Sequence, residues 1–203
     1  MQIDPAKLSH RDSYFLMISA IVPRPIAFVT TLGPSGIVNA APFSYFTGVA
    51  SSPPTLLICS GRRRDATTSK DTHRNIVENR EFVVNVVVEE VMDGVVIGGT
   101  DHPPDVSEIA LAGLQTAPSE RVKPPRIAAS PVNMECRLTQ ITEVAGTAII
   151  VGEVVWMHVR DDLIVESRVS PGSKVIDAAR LAPIARLGGD DYARLGEIFE
   201  RRR

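Results

Sequence analysis

Four stretches between Pro23 and Ile76 hold most of the residues in this chain suited to gripping a small charged molecule: PRPIAFVTT, IVNAAPFSYFTGVASSPP, TLLICSGRRR and TTSKDTHRNI. The last two bring Arg62, Arg63, Arg64, Thr67, Thr68, Ser69, Lys70 and Thr72 close to a helix start. A phosphate monoester needs positive charge and several hydrogen-bond donors, and the unpaired amides of a helix's first turn add to both. No GxxxxGK occurs, so this is not the phosphate loop of a nucleoside triphosphate site. Asp71 is expected to cap the helix, since its carboxylate would repel a phosphate, while Lys70 and Thr72 point inward. The plainer alternative is an exposed basic loop ahead of an amphipathic helix.

Residues 39–46, NAAPFSYF, supply what a planar ring needs. Small Ala41 and Pro42 let a ring approach the backbone. Asn39, Ser44, Thr30 and Thr31 offer hydrogen bonds, Tyr45 and Phe46 offer apolar surface, and Ser60 ends the strand before Arg62. With the cationic segment they describe a pocket for a phosphorylated, flat, redox-active ring, whose electronics the protein tunes by charge and hydrogen bonding. The competing assignment makes Phe43, Tyr45 and Phe46 core aromatics and Asn39 a hairpin-end residue.

Other chemistry-bearing residues are less organised. His10, His73, His102 and His158 share no HxxxH or HExxH spacing, so no metal site is expected. Cys59 and Cys136 form no CxxC pair and lie in apolar runs, which predicts buried thiols in a reducing compartment. In RLGGDDYARL, residues 186–195, the paired glycines permit unusual backbone angles and Tyr192 could stack on something planar; the alternative is a helix entry capped by Asp190 or Asp191.

These residues need a scaffold, and 203 residues with 44% apolar content suffice for one sizeable core, so residues 1–203 are expected to form a single domain. A formal net charge of −2 gives no global basic field, which argues against nucleic acid as a partner. The N-terminus lacks the basic and apolar order of a signal peptide, and no apolar run reaches membrane-spanning length. A soluble, cytoplasmic protein is expected.

Strands dominate the pattern. Residues 26–32 and 37–41 flank Gly33-Pro34-Ser35-Gly36 as a hairpin, and the first strand is apolar on both faces, with Ile26, Phe28 and Thr30 on one and Ala27, Val29 and Thr31 on the other. Further strands are expected at 43–49, 55–60, 82–88, 132–142 and 148–159, the last two joined by a turn containing Gly146. Helices are expected at 71–79, 89–97, 106–112, 173–181 and 190–202, with a long excursion over 98–125. The architecture predicted is mainly β, an antiparallel β-barrel with peripheral helices.

The order of PRPIAFVTT, NAAPFSYFTGVASSPP, GRRRDATTSKDTHRNI followed by EFVVNVV, SPVNMECRL and RLGGDDYARL resembles the flavin reductase-like proteins with an FMN-binding split barrel, of the flavoredoxin type. The resemblance covers most of the chain. It implies a homodimer of split barrels, non-covalent FMN, and flavin reduction by NADH or NADPH. It places Thr30, Thr31, Asn39, Ser44, Tyr45 and Phe46 around the ring and ribityl chain, and Arg62, Lys70 and Thr72 at the phosphate. The chain departs from the family pattern most at residues 91–99, VMDGVVIGG, where an alanine- and asparagine-rich helix is usual.

The resulting expectation is hydride transfer from a nicotinamide to FMN without a side-chain acid or base, and without a separate dinucleotide fold, since no GxGxxG follows a strand. The electrons would pass on to a second flavin, oxygen or a protein acceptor. Two rivals share the same residues: an FMN-binding electron carrier or sensor without nicotinamide activity, and a non-flavin structural or interaction barrel.

Overall fold

The computed structural model describes residues 1–61, 69–103 and 105–201. In chain order its elements are helix α1 (His10–Ala20), strands β1 (Arg24–Pro25), β2 (Ala27–Leu32), β3 (Val38–Phe43), β4 (Phe46–Ser51) and β5 (Pro54–Ser60), helix α2 (Asp71–Asn79), strand β6 (Glu81–Val86), and helices α3 (Met92–Gly98) and α4 (Glu108–Leu111). There follow β7 (Thr116–Ala117), β8 (Arg126–Ile127), β9 (Val132–Val144), β10 (Thr147–Val159), β11 (Ile164–Glu166), β12 (Lys174–Ile176), α5 (Ala178–Leu181), β13 (Ile184–Arg186) and β14 (Tyr192–Arg194).

Seven strands form one antiparallel sheet in the order β3-β2-β6-β9-β10-β5-β4. Its two longest strands meet at Ala145 and Gly146, both at positive φ, as a two-residue hairpin turn requires. Phe43 of the edge strand β3 and Ile58 of β5, five places away across the sheet, share one cluster with Val29, Phe82, Cys136 and Ile150. Only a sheet curled on itself allows that, so the cluster is the interior of a barrel. The other face of β2 is buried as well: Ile26 and Phe28 pack with Val91 and Val95 from around α3 and Ile184 of β13. Both faces of the first strand are covered, as its sequence predicts.

Excursion 98–125 is pinned to the barrel by one buried carboxylate. Glu135, fully buried on β9, accepts hydrogen bonds from the backbone N–H groups of Glu120 (2.8 Å), Arg121 (2.6 Å) and Val122 (3.2 Å), and from His158 Nε2 (2.6 Å). Two residues along β9 from Glu135, a second polar cluster holds the segment just after the excursion: Asn85 accepts from Ile127 N (2.8 Å) and Asn133 Nδ2 (2.9 Å) while donating to Phe28 O (2.8 Å). These side chains replace ladder bonds that an irregular segment cannot make.

Three expectations are corrected. The helix expected at 190–202 is absent over its described part, 190–201; Tyr192–Arg194 is a strand returning beside Ile184–Arg186, itself paired with β1, because Gly189 at positive φ permits a tight turn and the edge of β1 offers partners. Within 173–181 the first part is β12 and only Ala178–Leu181 is helical, capped by Asp177. The N-terminal helix α1 was not expected, although Ser9 caps it by accepting from Asp12 N (3.1 Å). Its apolar residues run consecutively from Tyr14 to Ile18 with only Ile18 buried, so no helical periodicity marks it.

Candidate functional site

A polar zipper sets helix α2 against the first hairpin. Thr72, Asn75, Ile76 and Asn79 fall at helical spacing on one face. Asn39 Nδ2 donates to Thr72 Oγ1 (2.9 Å), Asn75 Nδ2 to Thr31 Oγ1 (3.0 Å) and Asn79 Nδ2 to the Leu32 carbonyl (2.6 Å), while Ile76 enters the barrel core. The start of α2 is thereby held beside β3. Lys70 is its N-cap and makes no side-chain cap bond, so the expected capping role of Asp71 is corrected: Asp71 is the first helical residue, and its carboxylate accepts from Arg74.

Lys70 opens onto a cleft of about 400 Å³ and onto a narrow recess of about 20 Å³, with Thr100 also common to both. Pro42 and Ser44 line the cleft; Asn39, Ala41, Asp71 and Thr72 line the recess. The Lys70 ammonium lies 5.6 Å from the centroid of the Phe43 ring. Seven of the residues expected at the flavin thus stand around these two adjoining spaces, which share Lys70 and Thr100. Five do not. Thr30 points to the opposite face of β2 and donates to the Pro125 carbonyl (2.6 Å). Thr31 sits behind Asn39 as part of the zipper. Ser60 is buried with its hydroxyl toward the Gly61 carbonyl, Phe46 packs on the barrel core, and Tyr45 is exposed. Arg62, with the rest of the 62–68 segment, lies outside the described residues.

Two further walls come from segments that the sequence marked only by Tyr192 and by the departure at residues 91–99. The end of α3 contributes Val95, Val96, Gly99 and Thr100, and it reaches β3 because Gly98 has no side chain: a Cβ there would collide with the Ala40 carbonyl and lie 3.2 Å from Phe28. The departure from the family pattern at 91–99 is therefore a close helix–strand contact. Gly98→Ala should push α3 outward and cost about 1–3 kcal/mol, read as a melting temperature lowered by about 5 °C; an unshifted melt would show that α3 gives way freely. Beyond Gly98, Glu108 of α4 accepts from Ala40 N (3.0 Å) and Ser107 donates to the Val38 carbonyl (2.7 Å), so the exposed edge of β3 is occupied by side chains rather than by another strand.

The C-terminal hairpin forms the last wall with Arg186, Asp190 and Tyr192, facing Tyr14 of α1. Arg24, only 5% exposed, ties these parts together, donating to the carbonyls of Ile18, Ile21 (2.6 Å) and Leu187 (2.6 Å) and to Ser44 Oγ (3.4 Å). The carbonyls at the end of α1 suit a cation. Its only sequence signal was an arginine between two prolines inside an apolar run. Cys136 is buried and its thiol is pushed up by burial and by Glu135; Cys59 is half-buried and also raised by burial. Neither is poised as a nucleophile. No group of residues with metal-ligand geometry and no helix long and apolar enough to cross a membrane occurs among the described residues.

A curled antiparallel barrel whose covering helix begins at a cleft defines a mainly β barrel protein. Residues 18–169 match the flavin reductase like domain, and the chain belongs to that family. It is 40% identical over 205 residues to the uncharacterized protein BH2278 of Halalkalibacterium halodurans, covering 98% of this chain and 94% of that one. Among solved structures it is similar to nitrilotriacetate monooxygenase component B from Bacillus cereus (36% identity, TM-score 0.90, 99% of this chain and 98% of that chain). A Shewanella frigidimarina structure described as a flavin reductase with a split barrel domain superposes with TM-score 0.84 at 18% identity, covering 100% and 99% of the two chains, which speaks to fold alone. The fold is a split barrel, and the family gives the chain a flavin-related oxidoreductase role.

Proposed function

We propose that residues 1–203 form one domain that binds FMN without a covalent bond and acts as an NAD(P)H-dependent flavin reductase. The observation that carries this is the placing of Lys70, at the start of α2, on both the cleft lined by Pro42 and Ser44 and the recess lined by Asn39 and Ala41. FMN would supply the redox chemistry, accepting two electrons from a reduced nicotinamide and passing them on.

The residues present suit that group. Lys70 and the first-turn amides of α2 answer a dianionic phosphate. A flat ring can lie close to β3 because Ala41 and Pro42 are small and because a Cβ on Gly99 would reach to 3.8 Å from Pro42, into the same space. Asn39 is oriented by Thr72 and Thr31, and Ser44 by Arg24, so directional polar groups are fixed before a ligand arrives. Thr31 acts through Asn39, and Thr30, Tyr45, Phe46 and Ser60 have no part in the site. No side chain need donate or remove a proton from the donor.

A homodimer in the cytoplasm is part of the same proposal. Tyr14, Phe15, Leu16, Met17, Ile21 and Val22 are exposed along and just after α1, at the rim of the cleft. A contiguous apolar band of that kind is covered in soluble proteins by a partner, and a second copy is the simplest one. Sedimentation of the FMN-loaded protein should give twice the chain mass.

The deciding experiment is an anaerobic visible spectrum of protein supplied with FMN, before and after NADH and then NADPH. Bound flavin bleached within seconds supports the reductase. Flavin that binds but stays oxidised makes the chain an electron carrier or sensor fed by another protein, and a colourless protein after FMN addition overturns both.

A further inference from the structure

We propose that Arg186, stacked on Tyr192, is a specificity-determining residue that grips a phosphate of the nicotinamide nucleotide, an inference that rests on the reductase reading above. The cleft has cations on two walls, Lys70 at the start of α2 and Arg186 on the C-terminal hairpin. FMN carries a single phosphate, and Lys70 with the first turn of α2 answers it. The second cation, on the C-terminal hairpin wall, is then left for the donor, which must enter the cleft to reach the exposed side of a bound ring. The donor is itself a phosphorylated molecule.

Arg186 is built for the task. Its guanidinium carbon lies 4.4 Å from the centroid of the Tyr192 ring, and the two residues are directly opposite in the β13–β14 register. That stacking orients a planar fork whose geometry matches phosphate oxygens. One N–H is spent on the Gly189 carbonyl, and five donors are present in all. Asp190 Oδ1 stands 3.6 Å from the guanidinium, but the Asp190 side chain is fully exposed, so it is a loosely held counter-ion that an entering phosphate can displace. The strand beneath is rigid: Ile184 is buried and donates its N–H to the Val87 carbonyl, and β13 also pairs with β1, putting Arg24 in register opposite Arg186. A second cation beside the first deepens the local positive potential.

The phosphate is remote from the atoms that exchange electrons, so its grip contributes equally to ground and transition states and appears in KM. The test is steady-state oxidation of NADH and NADPH by FMN-loaded protein, beside the phosphate-free donor N-benzyl-1,4-dihydronicotinamide. Arg186→Ala should raise KM for the better nucleotide by about tenfold or more, as loss of a charge-assisted bond requires, and lower its kcat/KM relative to that of the phosphate-free donor by the same factor. Arg186→Lys, which keeps charge and loses the stacked fork, should recover part of this, and Asp190→Asn should lower KM for the nucleotide. FMN titration of each variant checks that the flavin site persists. An equal effect on both donors, no effect on either, or a change confined to FMN affinity overturns the assignment of Arg186 while the reductase reading stands. A wild-type flavin reduced by neither nucleotide overturns that reading and this inference with it.

Discussion

Lys70→Ala is expected to weaken FMN binding about 10- to 100-fold, the range of one charge-assisted contact to a phosphate, while riboflavin affinity changes far less. The two ligands share the ring and the ribityl chain and differ only in the phosphate, so their ratio isolates what Lys70 does. Lys70 occupies the N-cap position of α2 and lines both the cleft and its recess, which puts its ammonium where the helix dipole already favours an anion. The side chain also lies over Phe43. If that contact were its main role, both flavins would lose affinity together. Fluorescence quenching of FMN and riboflavin by wild type and variant, at two salt concentrations, decides: a salt-sensitive loss confined to FMN places the phosphate at α2, and a parallel loss sends it elsewhere.

The largest stability effect is expected at Glu135, far from the cleft. Glu135→Gln should cost about 3–5 kcal/mol at neutral pH, because it breaks a buried charged network by changing one partner. The carboxylate receives three backbone N–H groups and His158, and the amide of glutamine would turn a donor toward donors. Burial works against the charge, but the N–H groups of Glu120 and Arg121 together with His158 outweigh it and hold the Glu135 carboxyl below the usual carboxylate range. The sign for pH follows. A carboxyl lowered in the folded state stabilises fully above its unfolded value, about 4.3, and the contribution is lost as pH falls below that and through the folded value. Urea unfolding of the two proteins should therefore show a gap that is constant near neutrality and narrows below about pH 4. A gap unchanged into acid would mean the network holds Glu135 by shape rather than by charge.

Both predictions concern residues of different legibility. The cleft wall from Asn39 to Ser44 and the α2 start could be found by reading because each is a local run: one strand end, one helix N-terminus, and the residue types that a ring and a phosphate need. The helix at Asp71–Asn79 matches its expected bounds, since its apolar and amide residues recur at helical spacing. Glu135 gave no such signal. In VNMECRL it is one glutamate in a strand, and its partners come from an irregular segment whose path no periodicity describes. The expected helix at 190–202 failed for a related reason: local propensity there lost to pairing with β13, which rests on the distant β1 edge.

By itself the sequence determined a mainly β barrel, its first strand with both faces buried, the turn containing Gly146, and the run of residue types at a cationic helix start and a small-residue strand end. Those follow from period, turn chemistry and short-range residue type. Only the tertiary structure decided which side chains meet around the cleft. It turned Thr30 away to Pro125 and set Thr31 behind Asn39, because adjacent residues of a strand face opposite ways and only the covering elements say which face is the site. It also brought α3 to β3 through Gly98 and carried Arg186 and Tyr192 back from the far end of the chain, contacts made by closing long loops, which no local pattern in the chain encodes.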